Sequence, residues 1–338
     1  MTRVGIIGAS GYTGAELLRL CAHHPAFEVA YATGDTQAGT KAAALYPSLA
    51  GRYPHLVFEE FDPARVEGLD LVFLGLPHEA SMALAPQLIE KVRCVVDLSA
   101  AYRLKDASLY PTWYGFTHDQ PELLAAAVYG LPETHRAELQ GASLVATPGC
   151  HVTAATLALA PLVKAGLVDT TGIVVNSITG VSGAGRGLKH SSLFCTVDED
   201  VAAYGLLDHR HTPEIEQEVG AQVLFTPHLA PMNRGILATC YGRPVGEVST
   251  STLLDALHAA YDHEPFVVVT DQSPSTKATL GSNMAQITAR YDERTGTVLV
   301  ISAIDNLAKG ASGGAIQAAN VALGLDETLG LSTVGMYP

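Results

Sequence analysis

Val4-Gly5-Ile6-Ile7 runs into Gly8-Ala9-Ser10-Gly11-Tyr12-Thr13-Gly14, and a helix-like stretch, Ala15 to His23, follows at once. An apolar, β-branched run, a glycine-rich turn and a helix, in that order, open a nucleotide-binding βαβ unit. The glycines are spaced G-x-x-G-x-x-G and not G-x-G-x-x-G. Glycine is required where backbone turns at positive φ and approaches a pyrophosphate, and the following helix offers its first amides to that charge. Gly8, Ser10, Gly11, Tyr12, Thr13 and Gly14 are therefore the candidate cofactor contacts. Glycine-rich turns also close βα units that bind nothing, so the surrounding pattern has to carry the reading.

That pattern continues. Glu28 to Thr33, Leu71 to Leu76 and Cys94 to Leu98 are further short apolar runs, with a helix-like Ala80 to Lys91 between the last two. Near-continuous apolar strands alternating with helices predict an α/β fold of Rossmann type, a doubly wound parallel sheet covered on both faces. The second strand ends in Ala32-Thr33-Gly34-Asp35-Thr36-Gln37, without the acid that holds the ribose hydroxyls of NAD. Hydroxyls such as Thr36, with Lys41 beyond, favour a 2'-phosphate and hence NADP, against which Asp35 counts if it faces the pocket.

After Cys150 the pattern changes. A helix to about Leu167 and another at Pro213 to Val219 accompany β-rich runs at 173–178, 222–227, 236–241, 266–269, 284–291 and 297–304. This predicts an α+β second domain with a mixed, largely antiparallel sheet. The expected division is 1–149 and 150–310, with a last helix from about Ala311 to Leu323 that pattern alone assigns to neither domain.

The chain has 338 residues, suited to two domains, and a formal net charge of −14 with no cluster of Lys and Arg. Nucleic-acid and anionic-membrane partners are not expected, because both need a basic footprint. Cysteines at 21, 94, 150, 195 and 240 form no C-x-x-C pair, so neither a disulfide framework nor a zinc site is indicated. The thirteen histidines include no pair with i, i+4 spacing backed by a carboxylate, and no metal is expected. Lys164 interrupts the longest apolar region, leaving no membrane span, and a cytoplasmic protein is the expectation.

Pro148-Gly149-Cys150 leads into the apolar Val152 to Leu162, which puts one cysteine at a helix start. A thiol there faces amide N–H groups and the positive end of the helix dipole, which favours its thiolate. Cys150 is the candidate nucleophile, and His209-Arg210-His211-Thr212-Pro213, at another helix start, can supply an acid/base partner. His209 is expected to point away from His211, since residues two apart share a face only in a strand. Cys21, Cys94, Cys195 and Cys240 sit in apolar runs and read as buried hydrophobes. Arg103 and Arg186, in loops flanked by small residues, are the guanidiniums available for an anionic substrate.

Taken in order, these residues resemble the N-acetyl-gamma-glutamyl-phosphate reductases of the semialdehyde dehydrogenase superfamily. Further matching segments are Leu74 to His78, Asp97 to Leu104, Tyr129 to Glu133, Gly180 to Arg186, His209 to Ile215, Pro227 to Met232 and Ile304 to Ala311. The resemblance implies Cys150 as nucleophile, His211 as acid/base and NADPH as hydride donor in an acyl-phosphate reductase of arginine biosynthesis. It also implies Ser182, Gly183 and Asn306 near the cofactor and Arg103, Arg186 and His209 near the substrate. The helix from about Ala311, with the chain to 338, would fold back onto the first domain, and the second would make a homo-oligomer, a dimer or tetramer. The family's usual Asn-Pro-Gly-Cys-Tyr-Pro reads Thr147-Pro148-Gly149-Cys150-His151-Val152 here. Alternatives are the same chemistry on aspartyl phosphate or a carrier-linked aminoadipyl phosphate, a cysteine acyltransferase, and a nucleotide-sensing protein without catalysis.

Overall fold

The computed structural model describes all 338 residues and divides into two compact units, Met1–Pro148 with Ala311–Leu331 and Gly149–Gly310 with Ser332–Pro338. The chain end from Ser332, expected with the first domain, is held in the second unit, where Asn283 N–H donates to Ser332 O and Met336 N–H to Leu280 O.

The first unit carries β1 (Thr2–Ile7), β2 (Phe27–Ala32), β3 (Leu71–Leu74), β4 (Cys94–Asp97), β5 (Val128–Tyr129) and β6 (Leu144–Ala146). They form one six-stranded sheet in the order β2-β1-β3-β4-β6-β5, parallel throughout. Alternation within each strand explains why both faces are covered. Leu71, Phe73, Cys94 and Val96 enter one core with Leu17, Leu18 and the helix Gly313–Leu323. Val72, Leu74 and Val95 enter a second core with Met82, Ala85 and Leu88 of the helix His78–Ile89. This is a doubly wound α/β sheet, and its strand order reverses between β1 and β3, where such sheets bind ligands.

The second unit adds β7 (Ile173–Gly180), β8 (Ala202–Ala203), β9 (Val223–Ala230), β10 (Ile236–Gly242), β11 (Val267–Val269), β12 (Ala285–Asp292) and β13 (Thr297–Ile304). The sheet runs β11-β12-β13-β10-β7-β9-β8, with β11/β12 and β7/β9 parallel and the other neighbours antiparallel. Helices Cys150–Lys164, Thr212–Val219 and Thr250–Tyr261 pack against it. In β7 the residues Ile173, Val175, Ser177 and Thr179 are buried while Val174, Asn176 and Ile178 are half-exposed. One face is thus core and the other stays open, as alternating strands of an α+β layer require.

Candidate active site

At the switch point of the first sheet the three glycines do three different things. Gly8 sits at φ +92°, and a Cβ there would run into the Gly75 carbonyl, so no side chain fits the tight turn. A Cβ on Gly14 would lie 2.5 Å from Ala9 Cα, so the helix can press on the turn only without one. Gly11 faces open space, its nearest neighbour for a Cβ being Gly8 O at 3.6 Å, which leaves room for a ligand to touch the backbone. Tyr12, Thr13 and Gly14 form the first turn of the helix Tyr12–Cys21, and their amides have no acceptor within it. A dinucleotide pyrophosphate fits this cradle.

Ser10 contributes shape more than contact, since its buried hydroxyl donates to Gly34 O at 3.0 Å. Thr33 Oγ1 likewise accepts from Gly8 N–H. Asp35 and Thr36 stand exposed on the turn Asp35–Gln37, with Asp35 at φ 45°. Arg103 is buried in this unit and donates to Leu98 O at 2.9 Å. It also lies near the Asp97 carboxyl, whose pKa burial raises against hydrogen bonds from Ser81 and Ser99. His78, at the helix start, accepts from Ala100 N–H.

Two substitutions separate the glycine roles. Gly11 has φ −77° and ψ 170°, which any residue adopts. Gly11→Ala should therefore keep its melting temperature while losing about tenfold or more in cofactor affinity, about 1.4 kcal/mol. Gly8→Ala should lower the melting temperature as well, by the cost of about 1–3 kcal/mol that positive-φ strain carries. Calorimetry and cofactor titration on both variants check this, and equal behaviour would contradict it.

In the second unit the Cys150 sulfur opens onto a cavity of about 510 Å³ lined by Thr179, Gly183, Lys189, Tyr204, Arg210 and His211, among others. Gly149 caps the helix Cys150–Lys164 without a side-chain hydrogen bond. Its N–H donates at 3.0 Å to the buried carboxylate of Glu214, in the first turn of the helix Thr212–Val219. That bond ties the two helix starts together. A Cβ on Gly149 would sit 2.5 Å from His211 Nε2, so the imidazole lies close against the backbone at the residue before Cys150, and both side chains line the cavity. Gly310 does the same from behind, where a Cβ would be 2.9 Å from Cys150 Cβ.

His209 does not point away from His211. Its Nδ1 accepts from His211 N–H at 3.1 Å and the two rings meet edge to face at 4.7 Å, because the chain between them is a tight turn and not yet helix. Burial, and then Arg210, push the His209 pKa down to about 4. Asn306 accepts from Gly235 N–H and donates to Ser182 Oγ, fixing the turn Val181–Ala184 with Gly183 on the cavity wall. Arg186 and Arg103 lie outside this lining, whose cations are Lys189 and Arg210.

Cys21, Cys94 and Cys240 are buried, with thiols pushed up to about 12. Cys195, expected to be buried, is exposed, because the single helical turn Phe194–Val197 that carries it packs none of its residues fully.

Residues 3–142 match the family model described as semialdehyde dehydrogenase, NAD binding domain, and residues 150–306 the one described as semialdehyde dehydrogenase, dimerisation domain. The N-acetyl-gamma-glutamyl-phosphate reductases of Citrifermentans bemidjiense and Geobacter sulfurreducens are 47% and 48% identical over all of both chains. The chain belongs to the N-acetyl-gamma-glutamyl-phosphate reductase family. Solved structures agree on the fold. An aspartate semialdehyde dehydrogenase II of Vibrio cholerae complexed with ASA gives a TM-score of 0.72 at 15% identity, covering 96% of this chain and 98% of that one. The Candida albicans aspartate semialdehyde dehydrogenase with NADP gives 0.70 at 16%, covering 95% and 98%. The family's second domain is a dimerisation domain, and no helix here is long and apolar enough to cross a membrane.

Proposed function

We propose that this protein reduces N-acetyl-gamma-glutamyl phosphate to N-acetyl-glutamate 5-semialdehyde with release of phosphate, in arginine biosynthesis, using NADPH. The observation that carries the mechanism is the His211 imidazole held against Gly149, beside a thiol that opens into a cavity. His211 takes the Cys150 proton, and the thiolate attacks the acyl carbon, so that a C–S bond forms, the C–O bond to phosphate breaks and a thioester remains. First-turn amides of the Cys150 helix stabilise the developing oxyanion. The Gly8–Gly14 turn, with Thr36, would hold NADPH, which would supply the hydride that reduces the thioester. His211 then returns its proton as the hemithioacetal forms and collapses, releasing aldehyde and restoring the thiol. Lys189 and Arg210 meet the substrate's negative charge on the cavity wall.

The acidic charge, the absence of a membrane-length helix and cysteines without disulfides support a cytoplasmic setting. The open face of the second sheet, with Leu224 and Tyr241 exposed, supports a homodimer or tetramer. N-acetyl-glutamate semialdehyde, phosphate and NADP incubated with the protein should raise nicotinamide absorbance, with a specificity constant well above that for aspartate semialdehyde. Light scattering on the same sample should read at least twice the 35.4 kDa of one chain. A flat trace with the first substrate, or a preference for the second, rejects the substrate assignment, and a single-chain mass rejects the oligomer.

A further inference from the structure

Next to the nucleophile stands His151, where the family usually has tyrosine, and it is buried with both ring nitrogens engaged. Nδ1 lies 2.7 Å from Ser177 Oγ and Nε2 lies 3.1 Å from the Tyr204 hydroxyl. Burial, reinforced by His209, pushes its pKa down to about 3, so one nitrogen donates and the other accepts at neutral pH. Ser177 decides which. Its hydroxyl is fully buried on the inner face of β7, and its one hydrogen bond is to His151. A buried O–H proton without an acceptor is costly, so Ser177 donates and Nδ1 accepts. The ring proton then sits on Nε2 and is given to the Tyr204 oxygen.

A phenol oxygen that accepts from His151 keeps its own proton to give, and Tyr204 lines the Cys150 cavity. Burial, and then the Cys150 sulfur, raise the pKa of that phenol, which therefore stays protonated within electrostatic reach of the nucleophile. The rings of His209, His211 and Phe225 close round His151 edge-on at 5.9, 5.7 and 5.4 Å. We propose that His151 is a positioning residue: set by Ser177, it turns the Tyr204 hydroxyl proton into the Cys150 cavity, where it meets an anionic oxygen of the acyl-phosphate substrate. The inference rests on that cavity being the reaction site.

A double-mutant cycle tests it. Tyr204→Phe and His151→Phe should each raise KM for substrate about tenfold, the weight of one hydrogen bond to a charged group, with a smaller change in kcat. The double variant should be no worse than either single one, because both remove the same proton, and NADPH affinity should hold within about twofold throughout. Ser177→Ala should give a weaker loss of the same kind. Nitrogen NMR of wild-type His151 reads the tautomer even if His151→Phe does not fold, and should show a bare Nδ1 and a protonated Nε2 at neutral pH. Losses that multiply in the double variant, wild-type kinetics in His151→Phe, or the opposite tautomer would each overturn the inference. A Cys150→Ser protein that still turns over would instead overturn the proposed function and leave the tautomer as it is.

Discussion

Cys150→Ser should abolish turnover, by at least about a thousandfold, and leave NADPH binding within about twofold. The helix Cys150–Lys164 starts at the cysteine, and its 15 residues direct their dipole at the sulfur. Its own first turn holds no acidic residue, and the Glu214 carboxylate that opposes the dipole there is held by Gly149 N–H at 3.0 Å. A serine hydroxyl at the same place ionises far less readily, and its acyl ester is a poorer hydride acceptor than a thioester. The Gly8–Gly14 cradle is shaped within its own unit, by Ala9, Thr33 and Gly75, so affinity for the cofactor is the control. Substrate trapped on the wild-type protein should be found by mass spectrometry on the Cys150 peptide. Cys21, Cys94 and Cys240 are sealed in the core with thiols near 12, and the exposed Cys195 is the one competitor for a reagent in solution. Label on Cys195 that tracks with lost activity, or residual turnover in Cys150→Ser, would remove Cys150 from the mechanism.

The parallel sheet was legible because β1 to β4 announce themselves as apolar runs and the first glycine turn joins a strand to a helix. β5 and β6 were not, since two and three residues hold no periodicity. The helix Thr250–Tyr261 was missed for another reason. Its start is a capping box in which Ser249 and Thr252 exchange hydrogen bonds, and threonine in place of glutamate hides the usual signature. At the site, Cys150 stands out by the Pro148-Gly149 turn at a helix start and the segment His209–His211 by its place before Pro213, while the choice of His211 within that segment rests on the family resemblance. The residues that support them come from far along the chain. Glu214 reaches Gly149 across 65 positions, and His151 meets Ser177 and Tyr204 across 26 and 53. Only the three-residue step from His211 to Glu214, one helical turn on the same face, hinted at the first of these. No local pattern marks a histidine whose two nitrogens are spent on hydroxyls from other elements.

His211→Ala should lower kcat by about 10²–10⁴-fold, the span of a general acid/base contribution, and added imidazole should restore part of it in proportion to its neutral form. Folding is not at stake to the same degree, because His211 is half-exposed on the cavity wall and the helix behind it is anchored by Pro213, Ile215 and Glu214. Gly149→Ala gives the same test without touching either reacting side chain. Gly149 has φ −66° and ψ 146°, which alanine adopts without strain, and the three atoms a methyl would meet first all belong to the His211 ring, at 2.5 to 2.8 Å. The methyl must therefore push the imidazole from its place against the backbone next to Cys150, and a displacement of that size in a reacting pair costs on the order of 10²-fold. The expected result is a Gly149→Ala protein with a nearly unchanged melting temperature, a kcat lowered towards that of His211→Ala, and little further loss when the two changes are combined. Wild-type kcat in Gly149→Ala would mean that the ring can leave the glycine without consequence, and the proton would then have to travel by another route.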